Sequence, residues 1–162
     1  MKKALWGLLI LLCVGLDQWT KYLAVTHLKG TKGIPLIDGY LKLLYLENKG
    51  AAFGMLQNQQ VFFYIITFVI LIGIILIFVK IPQGKHYIPL KTVLAFLFSG
   101  AVGNLIDRVL HQYVIDFIYV EWIDFPVFNV ADIYVTVSMC VLAVLILFYY
   151  KEEDLNFLSK KR

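Results

Sequence analysis

Four stretches of this sequence are apolar for long enough to cross a membrane. The first runs from Ala4 to about Val25 and is interrupted by Asp17 and Lys21. The second, "VFFYIITFVILIGIILIFV", is uncharged from Val61 to Val79. The third, "TVLAFLFSGAVGNLIDRVL", covers Thr92 to Leu110 and turns polar in its second half. The fourth runs from Asp132 to Tyr150. At ~1.5 Å of rise per residue, each spans a ~30 Å hydrocarbon core with little tilt. Backbone groups in hydrocarbon must be paired within their own segment, so four spanning helices are the simplest solution. The composition agrees, since 60% of the 162 residues are hydrophobic and only 16% charged, too apolar for a soluble domain of this length. We therefore read residues 1–162 as a single, mainly all-α integral-membrane domain.

Lysine and arginine give the orientation. If the spans alternate, Lys2, Lys3, Lys80, Lys85, Lys91, Lys151, Lys160, Lys161 and Arg162 share one side, and Lys29, Lys32, Lys42 and Lys49 the other. The positive-inside rule then puts both termini in the cytoplasm and the loops 28–60 and 111–131 outside. The start, "MKKALWGLLILLCVG", is built like a secretory signal, but no small residue precedes Cys13 and no small-x-small cleavage site follows, so it is expected to be an uncleaved first span. The formal charge of +4 does not indicate nucleic acid as a partner, because the basic residues are scattered rather than gathered in a stripe.

Several weaker signals carry no chemistry. Cys13 and Cys140 fall inside spans and are expected to be small buried hydrophobes. His27, His86 and His111 are scattered, no metal-ligand spacing exists, and no metal or other cofactor is expected. Ser99 and Ser138 lack a candidate base at a recognisable spacing. The outer loops are more informative. Asp38-Gly39 is a turn signal, and the leucines and tyrosines after it read as short strands. The run "NKGAAFG" suits a tight bend. The second outer loop, "VIDFIYVEWIDFPVFNVAD", is apolar and aromatic, with Tyr119 and Trp122 suited to the headgroup layer.

Charged residues near hydrocarbon are costly and ask for a reason. Asp17 and Lys21 lie one helical turn apart and can pair. Gly100, Asn104, Asp107 and Arg108 share a helix face. Asp116 follows the third span and Asp132 opens the fourth, all near the outer leaflet. A structural network tying helices together is the simpler account of any one pair. The whole set exceeds what tethering four helices requires. Two carboxylates brought together hold one proton between them, so one serves as base toward water and the other as acid toward a carbonyl, the arrangement by which aspartic proteases cut amides. The sequence alone does not show that Asp116 and Asp132 meet. A small proton-coupled carrier would also bury aspartates, though internal repeats and broken helices are missing. A non-catalytic assembly factor would account for the outer loops but not for the aspartates.

These motifs together resemble those of the bacterial lipoprotein signal peptidases (signal peptidase II), over nearly the whole chain. The runs that carry the likeness are "DQWTK" with Asp17 and Lys21, "ENKGAAFG" with Asn48, "GAVGNLIDR" with Gly100, Asn104 and Arg108, "VIDFI" with Asp116, and "FNVADI" with Asn129, Ala131 and Asp132. The resemblance implies an aspartic endopeptidase of the bacterial plasma membrane, Asp116 and Asp132 its catalytic pair, that cuts diacylglyceryl-modified prolipoproteins before the lipobox cysteine. It implies that Asn48 and Arg108 hold the substrate backbone, that Asn104 and Asn129 orient the pair, and that Asp17 and Lys21 support it. It also implies a small extracytoplasmic β-sheet platform and a lid over a lipid-facing groove. Membrane lipid is expected as the surrounding partner, and a monomer as the working unit. Gln112 stands where the family often has glycine, and a modest change of loop shape is expected there.

Overall fold

The computed structural model describes residues 3–50 and 55–158. Residues 51–54 of "NKGAAFG", together with Lys2, Lys160, Lys161 and Arg162 used above for orientation, lie outside them. Four helices form the body: α1 (Lys3–Leu28), α2 (Gln60–Lys80), α3 (Ile88–His111) and α4 (Val130–Val144). A π-helical turn, Leu145–Tyr149, extends α4. All four are long and apolar enough to cross a membrane. Two begin earlier than their apolar runs suggest, each for a local reason. α3 starts before Thr92 because Pro89 lies in its first turn, where a missing N–H costs nothing. α4 starts before Asp132 because Asn129 caps it, its side chain accepting the Asp132 N–H.

Burial separates the helices by role. On α2 only Phe63, Leu71 and Ile74 are buried, while Val61, Ile65, Phe68, Val69, Ile72 and Leu76 are exposed. A helix apolar on every side suits contact with lipid, not water. α3 is the most enclosed and packs against α1, α2 and α4. Its glycines permit that approach: a methyl group on Gly100 would stand 2.5 Å from the Ala131 carbonyl oxygen, and one on Gly103 2.5 Å from Asp17 Oδ2. Ile74, Leu90, Leu94, Leu145 and Tyr150 share an apolar core. A second core, below the sheet, joins Ala24, Leu28, Ile115 and Phe117. Cys13 is buried as expected, but Cys140 is exposed on α4, so a buried site is the wrong reading for it: its helix face looks away from the bundle.

Three antiparallel strands, β1 (Ile34–Ile37), β2 (Leu41–Asn48) and β3 (Val114–Val120), pair in the order β1-β2-β3. The Asp38-Gly39 signal does make the first turn: the Tyr40 N–H donates to the Ile37 carbonyl at 3.0 Å, with Gly39 at φ 72°, where glycine sits without strain. The sequence concealed β3. Val114 to Phe117 are all buried, Asp116 included, so the strand lacks the alternation of apolar and polar residues that marks a half-exposed one. In the β2–β3 register Leu46 faces Asp116 and Asn48 faces Val114. Asn48 and Asp116 are therefore diagonal neighbours on one face of the sheet. Beyond β3 the chain doubles back, and Phe128 and Ile118 exchange backbone hydrogen bonds of 2.8 and 3.0 Å. That return delivers Asn129 and the start of α4 beside Asp116.

Candidate active site

Asp116 and Asp132 line one cavity of about 520 Å³, reached from two kinds of element. Asp116 projects from β3, and Asp132 is the third residue of α4. Every oxygen of the two carboxylates accepts an N–H. Asp116 Oδ1 accepts from Asn129 Nδ2 at 2.7 Å and Oδ2 from Asn48 Nδ2 at 2.9 Å. Asp132 Oδ1 accepts from Asn104 Nδ2 at 2.8 Å and Oδ2 from the Asn129 backbone N–H at 3.1 Å. Asn129, fully buried, also donates to Asn104 Oδ1 at 3.1 Å. Three asparagines from three parts of the chain thus fix both carboxylates and leave them little rotameric freedom, the condition a preorganised site requires.

Asp116 is only 1% exposed. Burial, and after it the neighbouring Asp132 carboxylate, push the Asp116 carboxyl up from 3.8 to about 7, against the opposing pull of the Asn48 and Asn129 amides and the Lys21 ammonium. Near neutral pH it is poised between holding and releasing a proton, the property expected of a group in acid–base work.

A buried ion cluster lies behind the pair. Lys21, 1% exposed, sits 2.9 Å from Asp17 Oδ2 and 3.0 Å from Asp107 Oδ2. Its third acceptor is Asn104 Oδ1 at 2.9 Å, so all three ammonium protons are used. Gln18 Nε2 donates to Asp107 Oδ1 at 2.9 Å and to the Gly103 carbonyl at 3.2 Å. Asp17 and Lys21 pair as their spacing suggested, but the pair is one part of a larger cluster in which Lys21 meets two carboxylates and each carboxylate also accepts N–H groups, which is what makes their burial tolerable.

Arg108 also lines the cavity. Its Nη2 donates to the Gly50 carbonyl at 3.2 Å, its guanidinium carbon lies 4.5 Å from the centre of the Phe63 ring, and its own carbonyl accepts the Tyr64 hydroxyl at 2.7 Å. Asn48 and Asn104 line the same cavity; Ile133, Thr136 and Val137 give it an apolar wall along α4. Gly100 and Ala131 stand at the α3–α4 contact instead. Among the described residues, no group of three or more His, Cys, Asp and Glu is disposed to hold a metal ion. Sequence reasoning gave no role to Gln18, Gly50 or Gly103, and it placed Asp107 on the polar face of the third span without assigning it one. Only Gln18, beside Asp17, carried a usable signal.

Four membrane-length helices under a small sheet, with two carboxylates closing a cavity at the sheet end, define a multi-pass membrane protein with a polar site set into one end of its bundle. The family model for signal peptidase (SPase) II matches residues 9–148, and the chain belongs to that family. It is 41% identical over 154 residues to a lipoprotein signal peptidase of Streptococcus thermophilus (strain CNRZ 1066), covering 95% of this chain and 97% of the relative. It is 46% identical over 138 residues to one of Caldanaerobacter subterraneus subsp. tengcongensis, covering 83% and 90%. A bacterial membrane enzyme solved in meso at 2.3 Å resolution superposes with a TM-score of 0.83 at 35% identity, covering 93% of each chain.

Proposed function

We propose that this chain is an aspartic endopeptidase that removes the signal peptide from diacylglyceryl-modified prolipoproteins by cutting before the lipobox cysteine. One observation carries the reading: two carboxylates share a cavity, every oxygen held by an N–H, with Asp116 pushed up to about 7. In the mechanism this supports, Asp132 takes a proton from a water as its oxygen attacks the scissile carbonyl carbon. Asp116 gives its proton to the carbonyl oxygen. When the tetrahedral intermediate collapses, the proton on Asp132 passes to the leaving nitrogen and Asp116 recovers its own, so both groups return to their starting states. Arg108 and Asn48 face the same space and hold the peptide backbone across it.

The cavity's apolar wall on α4 suits a substrate anchored by acyl chains, which searches the leaflet in two dimensions and brings its cleavage site to one depth. The lysine asymmetry supports a sheet end outside the cytoplasm and both termini within it. The test is cleavage of a diacylglyceryl-modified lipobox peptide by the purified protein in detergent with EDTA present. Cutting at the cysteine is expected; an intact peptide, or cutting only when divalent metal is restored, refutes the aspartic reading. For orientation, a reporter active only outside the cytoplasm should work when fused near Gln57 or Ile123 and stay silent near Gly84, and the reverse would invert the topology.

A further inference from the structure

Each cavity carboxylate is preceded in the chain by a backbone N–H, and each of those N–H groups is held by a carboxylate of its own. Ala131, before Asp132, donates to Asp17 Oδ1 at 2.9 Å. Ile115, before Asp116, donates to Asp107 Oδ2 at 3.0 Å. Lys21 joins the two holders, at 2.9 Å from Asp17 and 3.0 Å from Asp107. Gln18 joins them again, its amide 3.2 Å from Asp17 Oδ2 and 2.9 Å from Asp107 Oδ1. The start of α4 and the start of β3 are thus both tied to one ion cluster.

We infer that Asp107 is a positioning residue for the reaction: it fixes β3, and with it Asp116, opposite Asp132, and it balances Lys21 beneath the pair. This rests on the peptidase reading of the same cavity. The geometric half follows from the bond to Ile115, because Asp116 is the next residue and moves with it. A displacement of about 1 Å at a reacting group is enough to cost on the order of 100-fold in rate. The electrostatic half follows from the charge count. Asp17, Lys21 and Asp107 together carry one excess negative charge. The other charged groups around Asp116 are Asp132 from α4 and Arg108 from α3. Its uncharged polar neighbours are Asn48 from β2 and Asn129 at the head of α4. Without the Asp107 charge, Lys21 is balanced by Asp17 alone, the surroundings of Asp116 become more positive, and Asp116 gives up its proton at lower pH.

The experiment compares the parent, Asp107→Asn and Gln18→Leu in cleavage of a diacylglyceryl-modified lipobox peptide across pH, with rates normalised to folded protein. Asparagine keeps an oxygen for the Ile115 N–H, removes the charge, and replaces the oxygen that accepts from Gln18 with a donor, a loss that Gln18→Leu reproduces without the charge change. Asp107→Asn should lower kcat about tenfold with KM within about twofold, and its alkaline limb, where Asp116 loses its proton, should move to lower pH. Gln18→Leu, which changes no charge, should lower kcat without moving that limb. An Asp107→Asn profile that keeps the parent's limb overturns the inference, as does a Gln18→Leu that cuts at the parent's rate. An Asp107→Asn that cannot be recovered folded makes Asp107 a folding residue and overturns it equally. A parent that fails to cut at all refutes the peptidase reading instead, a result that reads differently from any of these.

Discussion

Asn129 and Asp132 hold each other in both directions: the Asp132 N–H donates to Asn129 Oδ1 at 3.0 Å, and the Asn129 N–H donates to Asp132 Oδ2 at 3.1 Å. This reciprocal cap is a common way to begin a helix. Here the acid of the cap also faces the cavity, and the capping asparagine reaches Asp116 with its amide. One local helix signal therefore sets the relation between the two carboxylates.

If the pair works as a unit, neither member should suffice. Asparagine keeps the shape of aspartate but can neither take nor share the proton. Asp116→Asn and Asp132→Asn should each fold and lose cleavage, and the double variant should be no worse than either single one. Initial rates beside a thermal-shift check of folding decide it. Substantial cutting by either folded single variant would leave these residues a structural network.

The carboxyl of Asp116 also makes stability depend on pH. Between 3.8 and about 7 the folded protein holds a proton there that the unfolded chain has released. Stability from this group is present below that window and is lost as pH rises through it. Asp116→Asn cannot ionise, so its thermal midpoint relative to the parent should climb across the window and level off above it. The size of the offset reflects the altered hydrogen bonds to Asn48 and Asn129, so only its slope with pH is diagnostic. A flat difference would mean that Asp116 is ionised throughout.

Arg108 presents a planar fork that lysine does not reproduce. Arg108→Lys should insert and fold, yet lose on the order of 100-fold in cleavage rate. A lysine variant as fast as the parent would show that the guanidinium serves only the Gly50 carbonyl and the Phe63 ring.

Gln112 ends α3 in a left-handed conformation, φ 65°, its N–H donating to the Arg108 carbonyl at 3.0 Å. That explains why glycine suits the position: a residue with a Cβ is strained in this helix cap. Gln112→Gly should raise stability by roughly 1 kcal/mol and leave cleavage unchanged, as read by thermal unfolding and initial rate in detergent. An unchanged or lower midpoint would mean that the glutamine side chain offsets the strain.

The four spans, the Asp17–Lys21 pair and the shared face of Asn104 and Arg108 were legible because helical periodicity relates residues by number alone. β3 was not, because a strand covered on both sides loses its alternation. The nearness of Asn48 to Asp116 depends on the β2–β3 register, which no single segment encodes. Asp107 was visible on the polar face of the third span, but its tie to β3 was not: it holds the Ile115 N–H, and every residue but proline has such a group. Gly50 was hidden likewise, since it meets Arg108 through its carbonyl.

The hydrogen bond from Ala131 to Asp17 joins residues 114 positions apart, and this orders events during synthesis. The first helix enters the bilayer long before Ala131 has been made. Lys21 and Asp17, one turn apart, neutralise each other within that helix and make its early insertion affordable. Only the arrival of the third and fourth helices supplies Asp107, Asn104 and the Ala131 N–H. Until then neither carboxylate of the pair has its full set of partners. A nascent chain therefore carries no finished carboxylate cavity while it is still being threaded, and the last span to be inserted is the one that completes it.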